Sequence, residues 1–263
     1  MARNLKLTLA YDGSEFHGWQ LQPGLPTVQG TLAECLKRLT GEDVLPQGSG
    51  RTDAGVHALA QVASVDLESP IPERNLMVAL NDILPRSVRV TSVEAVPHGF
   101  HARHSAKAKT YRYRIYRSEV CPPFLARYVY HDPYPMNEEA VIRASEHVVG
   151  KHDFTSFAAS DPDRSARIAA ADADTDHSCC GKPSNIRTIC SSQWARTNDE
   201  LIYTVRGDGF LHHMVRNLVG TFLLAGKGSL DVGDVPSILE ARNRAAAGPT
   251  AAACGLYLVS VEY

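Results

Sequence analysis

The chain has 263 residues, 44% of them hydrophobic and 21% charged, and a formal net charge of -2. This is the composition of an ordinary globular protein, long enough for one large domain or two smaller ones. The charge excludes a globally basic nucleic-acid binder, so any RNA contact must rest on a local basic surface.

In chain order, Leu5, Leu7, Leu9 and Tyr11 alternate with Lys6, Thr8 and Ala10. This period of two predicts a half-buried strand, ended by Asp12-Gly13. Phe16 and Trp19 read as core anchors of the loop that follows. From Val28 the pattern turns helical, with Val28, Leu32, Cys35, Leu36 and Leu39 on one face. Thr27 is placed as its N-cap and Gly41 as its stop.

Gly50–Ala58 then reads GRTDAGVHA. By composition it is a polar turn. Its glycines also permit close backbone approaches that a Cβ would forbid, so the loop can hold a carboxylate against a ligand. Asp53 can serve as nucleophile, general base or electrostatic stabiliser.

A strand is predicted around Gln61–Leu67, a helix from Pro72 to about Ile83 and a strand around Val88–Val96. Two helices between outer strands fit a ferredoxin-like α+β unit. Between His101 and Arg117 stand Arg103, Lys107, Lys109, Arg112, Arg114 and Arg117, with no acidic residue among them. In extended form Tyr111, Tyr113 and Ile115 share one face, and Arg112, Arg114 and Tyr116 the other. Two readings remain: a base-stacking and phosphate-binding strand, or a solvated strand face over buried tyrosines.

A helix is predicted from about Asn137 to Val149. Residues 158–185 hold almost no large apolar group and read as a mobile loop. Ile186–Ala195 and Leu201–Arg206 read as a hairpin. A helix is expected from near Leu211, with Met214, Leu218, Phe222 and Leu223 as its apolar stripe and Gly226 as its cap. A last helix is expected over Val235–Ala246, and a closing strand over Leu256–Tyr263.

Arg216 lies towards one edge of the helix that begins near Leu211. It is either a guanidinium partner that keeps Asp53 ionised or a surface residue. His212 and His213, as neighbours on a helix, point in different directions and make poor joint ligands. Cys35, Cys121, Cys179, Cys180, Cys190 and Cys254 read as reduced thiols. Cys179 and Cys180 are adjacent and lack the spacing of a zinc knuckle, so no metal site is expected. No P-loop or dinucleotide fingerprint is present. Neither a signal-peptide h-region nor an apolar span of membrane length is found, so a cytoplasmic location without membrane attachment is expected.

Tyr11–Gln20, Gly50–Ala58, Phe100–Arg103, Tyr111–Tyr113 and His212–Asn217 follow one another in an order that resembles the bacterial TruA-type tRNA pseudouridine synthases. The resemblance spans nearly the whole chain apart from 158–185. It implies two ferredoxin-like (RRM-like) α/β subdomains, 1–104 and 105–263, with a joined, mainly antiparallel sheet and a central cleft. It implies isomerisation of uridine to pseudouridine at positions 38, 39 and 40 of the tRNA anticodon stem-loop. Asp53 would be the catalytic aspartate and Arg216 its basic partner. Tyr111 would pack against the target base, and Arg51 would lie beside the reacting nucleotide. It also implies a homodimer that needs no cofactor, since nothing is oxidised. A non-catalytic RNA-binding module and a nucleoside or glycoside hydrolase using Asp53 are the rival readings.

Overall fold

The computed structural model describes residues 2–159 and 184–263, so the expected loop at 158–185 lies almost wholly outside the described residues. The fold is α+β and divides into two compact units. One comprises residues 1–133, 195–206 and 252–263, and the other residues 134–194 and 207–251.

The first unit opens with β1 (Arg3–Tyr11), whose alternation buries Leu5, Leu7, Leu9 and Tyr11. Then come α1 (Val28–Thr40), the short β2 (Gln47–Gly48), β3 (His57–Leu67), α2 (Glu73–Ile83) and β4 (Val88–Val96). The ends of α1 are set by local chemistry. Thr27 accepts a hydrogen bond from the Gly30 amide, and Gly41, at φ 77°, returns its N–H to Lys37. β5 (Ala108–Tyr116), β6 (Tyr130–His131), β9 (Glu200–Gly207) and β10 (Leu256–Glu262) complete the sheet. Its order is β4-β1-β3-β10-β5-β9. β1 pairs antiparallel with β3 and β4, and β10 antiparallel with β5. β10 runs parallel to β3 over Tyr257↔His57 and Leu258↔Ala58. The closing strand of the chain is therefore tied to the last residues of the GRTDAGVHA motif.

The second unit holds α3 (Glu138–Glu146), β7 (Gly150–Asp153), most of β8 (Ile186–Thr197), α4 (Met214–Gly226) and α5 (Asp234–Ala241). β7 and β8 pair antiparallel. α4 is buried nearly all round rather than along one stripe. Its Gly220 lies so close to the backbone that a Cβ would meet the Pro249 carbonyl oxygen at 1.7 Å. Asn217 crosslinks this region. It donates to the Phe157 carbonyl and accepts from Arg244 and Thr250.

Several boundaries differ from the sequence expectation. β3 begins at His57 rather than Gln61, because pairing to β1 and β10 extends it. α4 begins at Met214, since His213 adopts φ 59° and cannot continue a helix. α5 ends at Ala241, where Arg242 turns to φ 47°, and a separate 3-10 turn follows at Arg244–Ala246. Among the described residues Cys35, Cys121, Cys190 and Cys254 form no disulfide; Cys179 and Cys180 lie outside the described residues.

Candidate active site

Asp53 opens a tight turn. Its carbonyl accepts from the Val56 amide at 3.1 Å, and Gly55, third in the turn, has φ 77°. A positive φ at that position is the requirement of a type II turn and explains the glycine. Asp53 is half-buried, Thr52 buried and Arg51 exposed.

Residues 13–19 seat this turn from behind. The Trp19 amide donates to the Thr52 carbonyl at 3.0 Å, and the Gly55 amide to the Phe16 carbonyl at 3.3 Å. A Cβ on Gly18 would lie 2.4 Å from the Thr52 carbonyl oxygen, and one on Gly13 would lie 2.0 Å from that of Val56. Phe16 and Trp19 are buried anchors, as expected. The same stretch also shapes the loop through its backbone.

Arg51 Nε donates to Gln20 Oε1 at 3.1 Å. Tyr111 is buried, and burial pushes its phenol well above the usual range. Tyr11 and the Asp53 carboxylate add to that shift, so the ring lies within electrostatic reach of Asp53 and stays neutral. Burial likewise raises Tyr11 to about 12, against the hydrogen bonds from Thr52 and Gln61. Its hydroxyl is 2.8 Å from Thr52 Oγ1.

Arg51, Asp53 and Tyr111 all belong to the first unit, and Arg216 to the second. There Arg216 is half-buried in the first turn of α4, with Nε donating to the Ala251 carbonyl at 2.8 Å. Its neighbours correct the helix-based expectation. His212 and His213 precede α4, and their rings lie together, 4.0 Å between centroids. Adjacent residues diverge on a helix, but these two lie outside one.

The basic run also differs from the phosphate-facing stripe considered for it. Arg114 makes two bonds to Glu200, at 2.7 and 2.6 Å. Arg117 is buried against Asp132. Lys109 Nζ donates to the Ser49 carbonyl at 2.6 Å. Tyr111, Tyr113, Ile115 and Tyr116 are all buried, and Arg103 and Lys107 are the exposed cations of the run.

Sequence reasoning passed over His57. The Gly13 amide donates to its Nδ1 at 3.1 Å, so the ring proton sits on Nε2, which faces the Arg127 carbonyl at 3.2 Å. Tyr257 stacks on the ring at 4.8 Å. Asp12 Oδ1 lies 3.2 Å from Nδ1, as in an ion pair, but the same nitrogen accepts from Gly13. Burial lowers the His57 pKa from 6.5, and Asp12 only partly opposes this, so the neutral ring prevails. The unfolded chain therefore binds this proton more readily than the folded one. The stabilisation is complete above pH 6.5 and is lost as pH falls from there through the folded value. In thermal melts His57→Asn should flatten the acid limb of the stability curve just below pH 6.5. An unchanged limb would remove His57 as its source.

The sequence profile of the tRNA pseudouridine synthase family matches residues 8–105 and 144–263, across both units. The chain belongs to this family. A tRNA pseudouridine synthase A of Solibacter usitatus is 50% identical over 262 residues, covering 99% of this chain and 100% of the relative. The enzyme of that name from Moorella thermoacetica is 43% identical over 262 residues, with 98% and 99% covered. That from Caldicellulosiruptor saccharolyticus is 39% identical over 261 residues, with 99% and 100% covered. As a member of the family, the chain is an isomerase that converts uridine in tRNA to pseudouridine. The matched segments include Asp53 and Arg216, and Tyr111 lies between them. No helix among the described residues is long and apolar enough to cross a membrane.

Proposed function

We propose that the protein isomerises uridine to pseudouridine at positions 38, 39 and 40 of the tRNA anticodon stem-loop, with Asp53 as the essential carboxylate. The observation that carries this reading is the half-buried Asp53 at a tight turn, within electrostatic reach of the buried Tyr111, in a chain of the pseudouridine synthase family. In the reaction the N1–C1′ bond breaks, the uracil turns and a C5–C1′ bond forms. The C5 proton is released, and N1 takes one up. Asp53 can act at the sugar by attacking C1′ or by removing a proton to give a glycal. Both routes need it ionised, and Arg216 is the proposed basic partner for that state.

The target base must leave the stack, at a cost of a few kcal/mol. Stacking on Tyr111 would return about 1–3 kcal/mol, and Arg51 would hold the displaced nucleotide's surroundings. The phenol of Tyr111 is held neutral, and its role is to stack. Tyr111→Phe should therefore retain much of the activity, and near-total loss would show that the hydroxyl is required. We also propose a cytoplasmic homodimer, with one tRNA touching both subunits.

The test is incubation with unmodified tRNA tritiated at uridine C5. Tritium release with pseudouridine at positions 38–40 is the expected result. Release of free uracil would favour a hydrolase instead. Binding of tRNA with neither product would favour a non-catalytic module.

A further inference from the structure

We infer that Gln61 is a positioning residue for the reaction, setting the backbone that presents Arg51, Thr52 and Asp53. This rests on the proposed role of Asp53. Gln61 lies in β3 opposite Leu9, on the face where Leu5 and Leu7 meet Val65 and Ala63. An apolar side chain is what that face calls for, yet a fully buried amide stands there. A polar group in such a place is tolerated when its hydrogen bonds are complete.

They are complete, and most of them lead to the candidate active-site loop. Gln61 Oε1 accepts from Ser49 Oγ at 2.6 Å and from the Val62 amide at 3.1 Å. Nε2 donates to the Gly50 carbonyl at 2.9 Å and faces the Tyr11 hydroxyl at 3.5 Å. The Val62 N–H can only donate, which fixes the amide's orientation. Tyr11 in turn bonds Thr52. One side chain thus grips residue 49 by its hydroxyl, residue 50 by its carbonyl and residue 52 through Tyr11. Lys109 braces the same segment from the other strand. It bonds the Ser49 carbonyl, and a Cβ on Gly50 would lie 2.9 Å from its Nζ. Asp53 is the next residue along, so a shift at Gly50–Thr52 moves the reacting carboxylate.

Gln61→Glu tests this without changing the side chain's shape. When protonated, the new carboxyl can donate to the Gly50 carbonyl and still accept from Ser49 and Val62. When ionised, it loses that donor and sets a negative oxygen against the carbonyl. Burial raises the pKa of such a carboxyl. Near pH 6 the variant should turn over tRNA almost as the unaltered enzyme does. By about pH 9 kcat should fall on the order of 10²-fold, the scale of a misplaced reacting group. KM for tRNA and the circular dichroism spectrum should hold across that range, and the unaltered enzyme should show no such fall.

A profile parallel to that of the unaltered enzyme would overturn the inference. So would a change confined to KM, or an activity loss that follows unfolding. Asp53→Ala, assayed beside it, keeps the two ideas apart. Activity in that variant would defeat the reading of Asp53, whatever the Gln61→Glu profile shows.

Discussion

Asp53→Ala should abolish pseudouridine formation and leave the fold intact. The substitution removes the carboxylate and keeps the backbone hydrogen bonds of the turn. The Val56 amide bonds the Asp53 carbonyl, Trp19 holds the Thr52 carbonyl, and Phe16 receives the Gly55 amide. Whether the carboxylate attacks C1′ or takes a sugar proton, alanine supplies no substitute. The loss in kcat should be on the order of 10⁴-fold or more, the scale seen when one member of a catalytic set is deleted. Tritium release from C5-labelled tRNA measures it directly. Affinity for tRNA should change little, because a carboxylate contributes nothing favourable near phosphates. Retained tritium release in a folded variant would take the chemistry away from Asp53.

Much of this arrangement is legible in the sequence, for physical reasons that also mark where legibility stops. The boundaries of α1 follow from Thr27 and Gly41, because a cap is decided by atoms within one turn. The core of β1 follows from its alternation. The GRTDAGVHA string announces a tight loop, and Gly55 is where φ must be positive. Partners distant in sequence are another matter. Gln61 stands in the sequence only as the start of an expected strand, and its pairing with Leu9 makes it a buried hub. The basic run between His101 and Arg117 leaves two readings open in the sequence, because Glu200 and Asp132, which occupy Arg114 and Arg117, lie far along the chain. Helical geometry would part His212 and His213, and a single left-handed residue brings their rings together. Local rules read local structure well. The residues that hold a loop are chosen by tertiary contact.

Gly18 carries the second large expectation, because the same substitution at two glycines separates strain from collision. Gly18 and Gly24 both have positive φ, 85° and 71°. Alanine at either site costs about 1–2 kcal/mol for the left-handed conformation. At Gly24 the new methyl meets nothing within 4 Å, so that cost is the whole effect. At Gly18 the methyl would lie 2.4 Å from the Thr52 carbonyl oxygen and 3.1 Å from the Asp53 carbonyl carbon. Both are backbone atoms, which cannot swing aside as a flexible side chain can. Relief has to come from moving the loop, which weakens the Trp19-to-Thr52 bond and displaces Asp53. Overpacking of this kind adds about 1–3 kcal/mol. A reacting group moved by about 1 Å loses on the order of 10²-fold in rate. Gly18→Ala should therefore lower both melting temperature and kcat. Gly24→Ala should lower melting temperature modestly and leave kcat alone. Calorimetry with single-turnover assays on the two folded variants makes the comparison. Equal kcat values would mean that the approach of Gly18 to Thr52 does not set the position of the catalytic loop.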